Sequence, residues 1–170
     1  MDNLNICLMN DSFPPCIDGV ANAVVNYGRI LSERYGTATV VTPAYPDAAD
    51  GEYPFNVVRY ASLDTTRQVG YRTGLPFSPE LIASMEKQNF DLIHSHCPII
   101  STLLARTVRE RTNCPIVLTY HTKFDIDIAN AIHGRLLQEE AKHLLLENIE
   151  ACDEVWTVSQ GAGDNLRSLG

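Results

Sequence analysis

The sequence predicts an α/β fold, a Rossmann-like doubly wound parallel sheet, and three observations predict it. Apolar runs of strand length alternate with amphipathic helical segments along the chain. Parallel strands need crossover connections, which such helices supply. Three of the runs also end abruptly in polar clusters. Leu4-Asn5-Ile6-Cys7-Leu8-Met9 ends in Asn10-Asp11-Ser12-Phe13-Pro14-Pro15 and then Asp18-Gly19. Asp91-Leu92-Ile93 ends in His94-Ser95-His96-Cys97-Pro98, and Ile116-Val117-Leu118 ends in Thr119-Tyr120-His121-Thr122. In one parallel sheet all three clusters share the carboxyl edge, where open α/β sheets bind ligands. Finally, 170 residues at 45% apolar and 20% charged suit one globular domain, long enough to bury roughly 70% of its unfolded surface.

Each element has a local reason. After the first strand, Val20, Val24, Tyr27, Leu31 and Tyr35 recur at helical spacing and mark an amphipathic helix ending at Gly36. Residues 37–42 are a β-branched run closed by Pro43, residues 46–54 are acidic and loop-like, and residues 55–60 read as a third strand. Residues 61–77 show no clear period. Ser78 as N-cap and Pro79 at the first position start a helix that carries Leu81, Ile82 and Met85 inward and ends near Asn89. A fourth strand runs to Ser95, and Pro98 opens a helix with Ile100, Leu103, Leu104 and Thr107 on one face. Residues 115–120 form the fifth strand. A long helix over 134–151 has Leu137, Ala141, Leu144, Leu145 and Ile149 as its stripe. Residues 154–158 form the sixth strand, and Ser159 caps a last helix. The strand order 3-2-1-4-5-6 puts the reversal between the first and fourth strands, so the 11–19 loop and the 94–98 turn flank a crevice.

Bulk chemistry excludes several classes. A net charge of −8 argues against nucleic acid as a partner, because no field of Lys and Arg exists to release counterions. No apolar stretch approaches the roughly 20 residues needed to span a bilayer. Met1-Asp2-Asn3-Leu4 is acidic and runs straight into a strand, so no signal peptide is expected. Five scattered cysteines beside apolar runs suit buried thiols in a reducing cytoplasm. The sequon Asn10-Asp11-Ser12 then carries no glycan.

The clusters admit more than one reading. The 11–20 segment is either an anion site, with helix amide groups approached closely beside Gly19, or a helix merely capped by Asp18. The dinucleotide fingerprint Gly-x-Gly-x-x-Gly is absent there, and Gly161-Ala162-Gly163 lacks its third glycine at Leu166. His94 and His96 have no second Cys/His pair at finger-like distance, so no metal is expected. His96, nearest the strand end, is expected to line the crevice, and His94 to be a hydrogen-bonded core histidine. His121, among hydroxyls and beside Asp125, can bind a sugar, act as acid or base, or tie down a loop. No Gly-x-Ser-x-Gly elbow supports a serine-histidine-acid triad. Residues 65–79 hold Arg67 and Arg72 with Val69, Tyr71, Leu75 and Phe77 and no acidic residue. They read either as a segment facing the acceptor, at an interfacial contact with anionic lipid, or as a solvated loop.

Taken together, the motifs resemble the N-terminal half of retaining, nucleotide-sugar-dependent glycosyltransferases of the GT-B fold, family 4, and glycolipid-making members among them. Asp11-Ser12-Phe13-Pro14-Pro15 with Asp18-Gly19-Val20 is similar to that family's first loop, although many members have Gly-Gly where this chain has Asp18-Gly19. His94-Ser95-His96-Cys97-Pro98 resembles its His-x-His-x-Pro strand end. Thr119-Tyr120-His121-Thr122 resembles its Tyr/Phe-His-Thr turn, and 153–159 its last strand leading into Val-Ser. The resemblance implies that residues 1–170 are a single acceptor-side domain, with the donor-binding domain outside this sequence and the fragment inactive alone. It implies His121 as the catalytic residue beside the donor sugar, Gly19 near the diphosphate, and Asp11, His96, Tyr120, Thr122 and Asp125 as substrate contacts. The implied partners are a nucleotide-sugar donor and a lipid or saccharide acceptor, with peripheral contact to the inner face of a membrane. No metal or other cofactor is implied. The family's Glu-x₇-Glu spacing does occur as Glu139 and Glu147, but glutamates two turns apart on a solvated helix are commonplace, and that match is set aside. Two other readings stay open: a stand-alone nucleotide-binding regulatory module, and a metal-dependent hydrolase using His94, His96 and His121.

Overall fold

A computed structural model describes residues 3–132 and 134–169, apart from the side chains at 125 and 131. In chain order these form β1 (Leu4–Met9), α1 (Gly19–Arg34), β2 (Gly36–Pro43), β3 (Asn56–Tyr60), β4 (Ser62–Leu63), α2 (Thr66–Val69) and β5 (Thr73–Gly74). There follow α3 (Pro79–Glu86), β6 (Leu92–Ser95), α4 (Ile100–Thr112), β7 (Ile116–Tyr120), α5 (Phe124–Ala131), α6 (Arg135–Glu150), β8 (Glu154–Thr157) and α7 (Gln160–Ser168).

The six longer strands form one parallel sheet in the order β3-β2-β1-β6-β7-β8. Counted along the chain that is the expected order, and the reversal lies between β1 and β6. Strand alternation explains why both faces are apolar. Cys7 and Met9 pack with Leu81, Ile82, Met85, Leu104 and Val108 of α3 and α4. Their neighbours Ile6 and Leu8 turn to the other face, with Val24 of α1 and Phe55. Register sets the site: Met9 pairs with Ser95, and Ser95 with Leu118, so the polar clusters leave the sheet at one level.

The helix starts follow the sequence. Asp18 accepts from the Ala21 amide at 2.7 Å, Ser78 from Leu81 at 3.3 Å and Ser159 from Ala162 at 3.2 Å. Four features depart from expectation. The segment without a period folds into α2 and the two-stranded β4–β5 ribbon, elements too short to show one. A helix, α5, occupies residues read only as a loop. The α4 helix begins after Pro98, at Ile100, and buries Ser101 and Thr102 rather than Leu103 and Thr107. In α6 the inward positions are Leu145 and Asn148, while Leu137 is 61% exposed. The helix docks through its second half, where Asn148 donates to the Pro98 and Ile99 carbonyls and accepts from Arg106.

Candidate functional site

A cavity of about 680 Å³ opens on the carboxyl edge at the sheet's reversal, a size typical of ligand pockets. One wall is the loop after β1, with Asn10, Asp11 and Ser12, and the start of α1 at Asp18 and Val20. His96, Cys97, Ile99 and Ile100, between β6 and α4, form another. The rest comes from residues 68–71 and from Phe124, Ile128 and Leu144 of α5 and α6, so much of the lining is apolar.

The structure distributes the expected site residues unequally. Gly19 is the first residue of α1, whose first amides have no partner within the helix. A Cβ placed on Gly19 would meet nothing within 4 Å, so the space beside it is open. Asp18 caps the helix, as the plainer reading of this loop expected. Asp11, by contrast, faces inward. Its buried carboxylate accepts from the Ser101 amide at 2.8 Å, the Ile100 amide at 3.3 Å, the Cys97 thiol at 2.9 Å and the Ser101 hydroxyl. Burial raises its pKa, and these four bonds oppose the rise. Asp11 therefore caps α4 from within the cavity wall.

The histidines form a column. The His94 and His96 rings stack with centroids 4.2 Å apart, and His96 lies 5.3 Å from His121. Tyr27 of α1 packs against the first two, and Trp156 of β8 against His94. His94 is buried, with Nε2 2.7 Å from the Thr119 hydroxyl, which is the core role expected of it. His96 is fully buried, lines the cavity, and places Nδ1 3.0 Å from Nε2 of half-buried His121. Burial pushes all three rings toward the neutral form, His94 down to about 4. Among the described residues, no group of three His, Cys, Asp or Glu could hold a metal ion.

Tyr120 is fully buried and does not line the cavity. Its hydroxyl donates to Asn165 at 2.9 Å and accepts from the Phe124 amide at 3.2 Å, tying β7 to α7 and to the start of α5. These bonds give Tyr120 a bracing role at the turn, where a substrate contact was expected of it. Thr122 is exposed, lines the cavity and donates to Asp127 at 3.3 Å. The expectation for Asp125 falls on a side chain outside the described residues.

Sequence reasoning missed Phe124 and Ile128 and took Tyr71 only as one member of the 65–79 segment. Tyr71 lines the cavity, and the nearby Cys97, its own burial and Asp11 raise the pKa of its phenol. Its only signal was an aromatic residue in an aperiodic stretch. Ile128 and Phe124 enter because α5 exists, and the spacing of Phe124 and Ile128 was the available signal. Arg72, offered as a lipid contact, is instead engaged. It donates to the Ser62 hydroxyl at 2.9 Å and the Ser62 carbonyl at 3.2 Å.

A cavity at the reversal of a doubly wound sheet, walled by the start of α1, the His96 imidazole and many apolar side chains, lies where α/β domains of this kind bind small molecules. A family model for glycosyltransferase family 4 matches residues 17–170, and the chain belongs to that family. It is a glycosyltransferase domain, and its substrates are a sugar donor and an acceptor. A search of curated proteins found no match. No helix among the described residues is long and apolar enough to cross a membrane.

Proposed function

We propose that this chain is the acceptor-side half of a retaining glycosyltransferase that moves a sugar from a nucleotide-sugar donor to a lipid or saccharide acceptor. The observation that carries the reading is the position of the cavity. It lies at the reversal between β1 and β6, with the α1 amide end on one side and apolar α5 and α6 residues on the other. The amide end beside open Gly19 suits the donor's diphosphate. The apolar walls suit the tail of a lipid-borne acceptor rather than a free saccharide. Leu75 and Phe77, 44% and 64% exposed, with Arg67 in α2, suit peripheral contact with the inner face of a membrane.

In this reading a diphosphate leaving group needs donors aimed at developing charge, and it needs neither a catalytic triad nor a metal. His121 approaches the donor sugar near the reacting carbon, and the leaving phosphate helps to deprotonate the acceptor hydroxyl. A donor-binding half supplies the contacts to base and ribose. The chain alone then offers a donor only a helix end and a few hydrogen bonds, each worth about 1 kcal/mol net. Association and ordering consume most of that, so affinity falls at or below the millimolar level, about −4 kcal/mol.

Calorimetric titration of the chain with UDP- and GDP-sugars tests the reading. Dissociation constants in the millimolar range or weaker, without transfer, are expected. Micromolar binding, or transfer by the chain alone, would assign the donor site to this half and overturn the proposal.

A further inference from the structure

Two neutral imidazoles in contact share one proton: one ring donates and the other accepts. His96 Nδ1 and His121 Nε2, 3.0 Å apart, are such a pair. The third ring does not compete, because His94 is committed to Thr119. Which ring donates follows from the nitrogens that do not face each other. His96 Nε2 is buried and has no hydrogen-bond partner among the described residues. If His121 donated, His96 would carry its proton on Nε2 and bury an N–H with nothing to receive it. If His96 donates, Nε2 holds only a lone pair. Orphaned buried N–H groups are the rarer of the two faults, unsatisfied acceptors being better tolerated.

We infer that His96 donates its Nδ1 proton to His121 Nε2 and so holds His121 as the Nδ1–H tautomer. With Nε2 occupied, Nδ1 is the one ring nitrogen that His121 has left for a ligand, and it is a donor. His121 then gives a hydrogen bond to a ligand oxygen and does not act as a base. His96 is a positioning residue: it fixes the partner ring's proton as outer-shell groups fix the tautomer of metal-bound histidines. The tautomer stands on its own, and only its consequence for catalysis rests on the proposed function.

Long-range proton–nitrogen NMR on the isotope-labelled chain near neutral pH reads each ring's tautomer. Nδ1–H is expected on both His96 and His121. His96→Asn keeps a donor at the Nδ1 position and should leave His121 unchanged. His96→Leu removes the donor and should move His121 to the Nε2–H form that free imidazole side chains favour in water. Nε2–H on His121 in the native chain overturns the inference, as does Nδ1–H persisting in a folded His96→Leu variant. If the leucine variant does not fold, the native and asparagine spectra decide. If the tautomer is as stated but the complete enzyme works without His121, only the functional reading fails.

Discussion

The carboxylate of Asp11, just after β1, accepts from the Ser101 amide at 2.8 Å and so caps a helix 90 positions further along the chain. The residue preceding that helix, Ile99, offers no side-chain cap, and Asp11 fills the role. One bond network thus joins the β1 loop to α4 across the reversal of the sheet and holds two cavity walls together.

Asp11→Ala should lower stability by about 3 kcal/mol, since it leaves two helix amides and two side-chain donors unsatisfied. Asp11→Asn, which keeps one accepting oxygen, should cost about 1 kcal/mol. Urea unfolding measures both as midpoint shifts at unchanged slope. An alanine variant that unfolds with the parent would show that the cap is idle.

Stability should fall as the solution is acidified. His94 takes up a proton near 6.5 when unfolded but only near about 4 when folded, so the unfolded chain binds more protons in that window. The contribution, about 3 kcal/mol, is fully present above about pH 6.5 and is lost as pH falls toward the folded value. His96 acts in the same direction. Asp11, whose folded pKa is raised, opposes the trend only near the acid end, where the folded chain binds its proton more readily. Chemical unfolding across this range checks the slope, and a flat profile would mean that the rings take up protons as readily in the folded protein as in the unfolded chain.

In the complete enzyme, His121→Ala should lower turnover about a hundredfold, roughly 3 kcal/mol, as expected for losing one preorganised donor. The fold should persist, since His121 is only half-buried. Turnover equal to the parent's would leave His121 a structural role.

The two arginines of the 65–79 segment should separate. Arg67→Ala should weaken binding of the complete enzyme to anionic vesicles by about fivefold, roughly 1 kcal/mol. Arg72→Ala should instead loosen the β4–β5 ribbon, because its guanidinium bonds Ser62 and lies over the Tyr45 ring. Vesicle sedimentation and thermal melts tell the two effects apart. Equal vesicle binding by parent and Arg67→Ala would remove the membrane contact.

Much of the frame is legible in the amino-acid sequence. Strand identity, the 3-2-1-4-5-6 order and the caps at Asp18, Ser78 and Ser159 follow from local periodicity and turn chemistry, which are encoded over a few neighbouring residues. The edge location of Gly19, His96 and His121 follows too, because alternation of strand and helix puts every strand end on one side.

What lay beyond the sequence was the direction in which each polar side chain turns. Asp11 and Tyr120 sit within motifs that point to a ligand, yet one caps α4 and the other braces the turn from below. Their partners, Ser101, Asn165 and the Phe124 amide, are supplied by other elements, and only packing shows whether such a group meets protein or open space. The same holds for His96 and His121, whose contact spans 25 positions and whose shared proton depends on one buried nitrogen. Period and composition determine which residues reach the edge of this sheet. The tertiary structure decides which of them remain available there, because a buried polar group takes the nearest partner that satisfies it.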